Sequence, residues 1–227
     1  MLPTNRDVRV AGAWYFAMLT APFSLIYVPN TLIVRGDAAA TAAKVLAHQT
    51  MLRLSIVNEL FVAVVFVMLA LALYRVFSGV NKLQAALMVV LGAVLSAPVT
   101  FVAVVNDIAA LAILHAPHYL SSVFSKPQLE ALALLFLNVH QYAMISQQFL
   151  WGLWLLPFGL LVMRSGFLPR ILGILLIFNC FAYVVASLTW LFAPDYMSVV
   201  NTVALIPETG ELWIALWMLI RGVGRAT

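Results

Sequence analysis

The stretch ALIPETGELWIALW, Ala204 to Trp217, lies inside an apolar run that continues to Ile220, yet it holds Glu208 and Glu211 beside Pro207 and Gly210. Whether this run crosses a membrane decides the fold. The chain of 227 residues is 65% hydrophobic and 9% charged. A soluble domain is roughly half apolar and a quarter charged, so no water-facing surface can be built from this composition. Several apolar runs exceed the ~18 residues that span hydrocarbon as a helix. They are continuous rather than alternating, which excludes a β-barrel. The fold class that follows is all-α, an integral membrane bundle.

Charged or turn-rich breaks divide the chain into six expected transmembrane helices in a single domain covering residues 1–227: 10–34, 52–76, 83–114, 128–163, 171–192 and 199–220. The start of the chain reads as a retained first span, because its apolar run is too long for a signal peptide. In RSGFLPR (Arg164–Arg170), Gly166 suits the position just past a helix and Pro169 the first turn of the next. Pro98 and Pro157 fall inside spans and are expected to kink them. Arg6, Arg9, Arg75, Lys82, Arg164, Arg170, Arg221 and Arg225 fall on the side of both termini, whereas Arg35, Lys44 and Lys126 fall on the other. The positive-inside rule then puts both termini in the cytoplasm and the protein in the cell membrane. One cysteine, Cys180, excludes an internal disulfide and a cysteine-cluster metal site. The net charge of +4 sits at helix ends, where it reads as topology and anionic-lipid contact rather than nucleic-acid binding.

Four stretches, LRLSIVNEL (Leu52–Leu60), LALYRVF (Leu71–Phe77), SGFLPRILG (Ser165–Gly173) and GELWIALWMLIRG (Gly210–Gly222), carry a resemblance. Together they resemble a family of bacterial multi-pass proteins, the domain of unknown function 4386. The most specific parts are the Ser-Gly-Phe-Leu-Pro-Arg turn and the Glu-Leu…Leu-Trp ending; Met218 stands where that ending more often has leucine. The resemblance implies a membrane helical bundle and carries no activity to transfer.

Helical rise converts position into depth. Counted from the basic residue closing each span, Glu211 and Glu208 lie about 15 and 20 Å in, and Glu59, Gln147 and Gln148 about 24–25 Å. Arg53, Asp107 and His140 come out at about 33–38 Å, beyond a core about 30 Å thick. That count predicts solvated outer-interface positions for His140, Arg53 and Asp107, the last two as a structural ion pair. It leaves Glu59, Glu208, Glu211 and the glutamines needing a cavity that opens outward. Buried carboxylates also serve as hydrogen-bonded links between helices, and that reading stays open. So does a sixth helix that begins at Pro207 instead of being broken there.

Trp151 and Trp154 match the two later glutamates in depth, about 20 and 15 Å. If the faces meet, carboxylates and indoles line one chamber suited to a cation or amphiphile. His115, His118, His140 and a carboxylate would make a zinc site, but they form no compact metal-ligand motif, so neither metal nor other cofactor is expected. The candidate proton-exchanging groups are therefore Glu208, Glu211 and Glu59, and the candidate ligand contacts Trp151, Trp154, Gln147, Gln148 and His140. Three functions fit: binding or transport of a small amphiphilic or cationic solute, acid–base catalysis on a lipid or isoprenoid, or a non-catalytic role with membrane lipids.

Overall fold

The structure is a computed structural model that describes residues 3–223; the side chains of Asn201 and of residues 205–208 lie outside that description. No strand occurs among the described residues. Six helices among those residues are long and apolar enough to cross a membrane: Asn5–Leu32, Gln49–Phe77, Lys82–Leu114, Lys126–Ser165, Arg170–Phe192 and Pro194–Ile220. Each expected span falls on one of them. The protein is a membrane-spanning helical bundle, and these helices are its first to sixth spans.

Local features of four spans add to the expectation or correct it. The first span is not a regular helix. It passes through a 3-10 turn at Met18–Thr20 and a π-helical turn at Phe23–Tyr27, close to Pro22 and Pro29. Each proline lacks an N–H and crowds the carbonyl four residues before it, so the ladder shifts its register there. The third span behaves alike: a π turn at Val90–Val94 precedes the helix Ser96–Leu114. Val94 is the residue whose carbonyl the Pro98 ring would meet, and Ser96 Oγ donates 3.1 Å to the Leu91 carbonyl beside the break. Pro157, by contrast, is accommodated inside the helix Lys126–Ser165. The sixth span is one helix from Met197 to Ile220, neither broken at Pro207 nor starting there. Gly210 serves close packing: a Cβ there would come within 2.9 Å of Leu175 on the fifth span.

The chain divides into two compact units. The first comprises the described residues of Met1–Leu19, Val64–Ala97 and Ile145–Thr227. Its core is built on Trp154, which stacks on Phe158 at 5.4 Å and meets Phe66 edge-on at 5.0 Å. Helices approach one another here at glycines. A Cβ on Gly12 would collide with the Leu219 backbone, and Gly159 and Gly173 face each other just as closely across the fourth and fifth spans. Lipid offers no hydrophobic drive between helices, so such close van der Waals seams supply the association. Cys180 is buried beside one of them, its carbonyl 2.9 Å from where a Cβ on Gly152 would sit. At the turn after the fourth span, Gly166 takes φ +70°, as RSGFLPR led one to expect. The two ends of the chain are tied: Val223 N donates to Asn5 Oδ1 and Arg9 Nη2 to the Ile220 carbonyl, both at 3.0 Å.

The second unit comprises Thr20–Ala63 and Pro98–Met144. Val28, Leu32, Val45, Leu52, Val104 and Leu137 are among its buried core residues. The segment RGDAAATAAK, read as a plain break, contains the start of a helix, Ala38–Ala47. Asp37 caps it, Oδ1 accepting from Ala40 N at 2.8 Å, and Lys44 Nζ donates to the Thr31 carbonyl at 3.1 Å.

Gly173→Leu should drive a side chain into the Gly159 carbonyl and lower stability by about 2 kcal/mol or more. Thermal unfolding of the detergent-solubilised protein reads this directly, with Leu83→Ala, at a side chain 81% exposed, as the milder comparison.

Candidate functional site

Leu52, Ser55, Ile56 and Glu59 stand at i, i+3, i+4 and i+7 on the second span, and all four are buried. One helix face therefore carries a carboxylate among apolar and small neighbours. Asp107 on the third span and His140 on the fourth are buried in the same unit. The three meet. His140 Nδ1 lies 3.0 Å from Asp107 Oδ2, and His140 Nε2 lies 3.4 Å from Glu59 Oε2. The Ala103 carbonyl, one turn before Asp107, also lies against the imidazole. Neither Glu59 oxygen accepts a hydrogen bond, although its side chain is only 3% exposed.

Beside this group is a cavity of about 20 Å³, measured as the space open to the centre of a water-sized sphere. A void needs roughly 10–15 Å³ on that measure to hold one water. It therefore takes a water or an ion, not an amphiphile. Its polar lining adds Ser24, Ser55 and Gln141 to the triad. Ser24 belongs to the π-helical turn of the first span, and such turns often occur at functional sites. Asn58, next to Glu59, holds that turn: its Nδ2 donates 2.9 Å to Ser24 Oγ and 3.0 Å to the Thr20 carbonyl. Sequence reasoning passed over these three lining residues. The available signals were the paired prolines of the first span and the 52/55/56/59 spacing.

The expected placement of Asp107 and His140 in interfacial water is not found; they are 5% and 2% exposed. Counting helical rise gives height along an axis but not the direction a side chain faces. The Arg53–Asp107 pair does not form either. Arg53 is exposed and reaches Gln49 Oε1 at 3.5 Å, while Asp107 is taken by the imidazole. Nor do the loop histidines join His140. His118 is exposed, and His115 contacts the Leu111 carbonyl and Gln49. Among the described residues, the group whose donor atoms gather closely enough to hold a metal ion is Glu59, Asp107 and His140.

The chain belongs to the family named domain of unknown function 4386. The family profile matches residues 10–222, nearly the full length. No curated protein and no solved structure matches the chain. Membership in this family thus supports the membrane bundle and leaves the chemistry to the residues.

At the other expected chamber, the Glu211 carboxylate is taken up by protein. Glu211 Oε2 accepts from Tyr15 Oη and Oε1 from Asn179 Nδ2, each at 2.6 Å, and Tyr183 adds a further hydrogen bond. This joins the first, fifth and sixth spans through one carboxylate. Trp154 does lie near, through Tyr15 at a ring distance of 6.2 Å, but it is 2% exposed within the aromatic core. Trp151 is half-buried against the same core, Gln147 is buried and Gln148 half-buried. The Glu208 side chain lies outside the described residues. Glu211 has the geometry of an interhelical link, the alternative left open above.

Combining Tyr15→Phe with Glu211→Gln in a double-mutant cycle should give a coupling energy of about 1–2 kcal/mol, in the upper range for hydrogen bonds inside membrane proteins. Unfolding in mixed detergent measures it; additive losses would remove the link.

Proposed function

We propose that this protein lies in the cell membrane with both termini in the cytoplasm, and that it binds or transports a small cation at Glu59, Asp107 and His140. The excess of basic residues on the side of both termini supports the orientation. One observation carries the functional reading: a buried carboxylate with no hydrogen bond to either oxygen, beside a cavity of ionic size.

Burying an ionised carboxyl is costly, and an insertion scale sets about 2.5–3.5 kcal/mol for aspartate at a helix centre. Two carboxylates against one imidazole leave a negative excess, which a positively charged occupant would balance. The cavity's size supports the cation rather than the amphiphile, and the group's two kinds of proton acceptor suit a site where cation and proton exchange. Membrane lipids are the surrounding partner in this reading, with no nucleic acid.

In a screen of alkali, alkaline-earth and transition-metal chlorides and small amines at several pH values, at least one cation should raise the unfolding temperature by several degrees. That corresponds to about 2.7 kcal/mol at a hundredfold excess over Kd. Glu59→Gln should abolish the response. Identical responses of parent and variant across the screen would remove the reading.

A further inference from the structure

An imidazole flanked by carboxylates on both ring nitrogens, with the Ala103 carbonyl also against it, has one proton or two for three acceptors. The shorter contact is Nδ1 to Asp107 Oδ2 at 3.0 Å, close enough for the carboxylate to favour the proton on that nitrogen. The neutral ring then turns the Nε2 lone pair toward Glu59 Oε2, 3.4 Å away, so two electron-rich atoms face each other in a buried place. Something positive belongs between them. Zinc-class ions bind histidine nitrogen at about 2.0–2.1 Å and carboxylate oxygen at about 2.0–2.2 Å, in tetrahedral geometry. Two such donors stand about 3.4 Å apart along the tetrahedron's edge, the separation found here.

We propose that Glu59, Asp107 and His140 form a divalent transition-metal site, with His140 Nε2 and a Glu59 oxygen as direct ligands and Asp107 as the carboxylate that orients the imidazole. The inference rests on the cation reading above and names the class of cation. Four observations support it together. The donor spacing is that of a tetrahedral edge. Asp107 stands behind the histidine as a metal-bound imidazole's usual outer partner does. Both Glu59 oxygens lack hydrogen bonds at 3% side-chain exposure, so the carboxylate is left for an occupant. The adjoining cavity has room for one water, enough to complete a coordination shell. A nitrogen donor selects zinc, cobalt, nickel or copper over magnesium, calcium and sodium, which take oxygen shells. A divalent charge also offsets the two carboxylates more fully than a monovalent one.

The full chain, purified in detergent without a polyhistidine tag and stripped with a chelator, is titrated with Co²⁺ and then with Zn²⁺. The expected result is one Co²⁺ per chain with the strong visible bands of a tetrahedral ion, lost on adding Zn²⁺. Glu59→Gln and His140→Gln should each weaken binding at least tenfold. Asp107→Asn, acting through the histidine, should weaken it about 10–100-fold while keeping the cobalt spectrum tetrahedral. Asp195→Asn, at an exposed turn, should change nothing. Metal-free Glu59→Gln should unfold no earlier than the metal-free parent, because the substitution removes an unpaired buried charge. If any variant fails to fold, the parent's own titration still decides. A cobalt spectrum no different from the ion in buffer, or variants that bind as the parent does, would overturn the metal. If the parent answers an alkali ion or an amine through Glu59 but neither Co²⁺ nor Zn²⁺, the cation reading stands and this inference falls. If Glu59→Gln alters no response at all, both fall.

Discussion

The absence of water along the spans governs the rest of this structure. Backbone amides in hydrocarbon must find partners within their own segment, which is why the chain is helical wherever it is apolar. The same constraint acts on side chains. Every acid on a span needs a partner from another helix or an occupant. Glu211 finds Tyr15 and Asn179, and its oxygens are taken up by the fold. Glu59 lies 3.4 Å from a histidine already in contact with Asp107, and its oxygens receive no hydrogen bond. Two carboxylates of the same type therefore end in opposite conditions. One is consumed as an interhelical link; the other remains chemically available.

Irregular backbone in the first span belongs to the same picture. Pro22 and Pro29 remove amide donors, and the π turn at Phe23–Tyr27 takes up the resulting mismatch. Such a turn is tolerated where protein covers it or a cavity adjoins it. Both hold here, since Asn58 fastens Ser24 and the Thr20 carbonyl while Ser24 lines the cavity. Neighbours on one helix thus divide two tasks: Asn58 braces the turn, and Glu59 faces the space beside it.

What the residues alone reveal follows from which physical quantity they encode. Run length and charge breaks encode where long apolar helices lie, and six such helices occur among the described residues, with ends that differ from the expected ones by up to five residues. Gly166 and Pro169 encoded the turn between the fourth and fifth. The irregular turns near Pro22 and before Pro98 depend on which neighbour supplies replacement hydrogen bonds, and a linear pattern does not name that neighbour. Glu59, Asp107 and His140 were each visible as polar residues in apolar runs. Their meeting was not, because rise per residue measures height while contact depends on rotation about the helix axis. Asp107 was consequently matched to Arg53, its counterpart in height, when the imidazole was the group that faced it. The buried spacing Leu52, Ser55, Ile56, Glu59 held the missing rotational information for one of the three helices.

Because Tyr15 reaches Glu211, Arg9 reaches the Ile220 carbonyl and Asn5 reaches Val223, the first span is joined to the sixth and the residues that follow it. A ribosome makes these partners 196 to 218 residues apart. Until the sixth span is made, the phenol of Tyr15 has no carboxylate and the Gly12 surface has no neighbour to receive it. Packing of this unit is therefore completed only when the sixth span arrives to fill both the hydrogen bond and the seam.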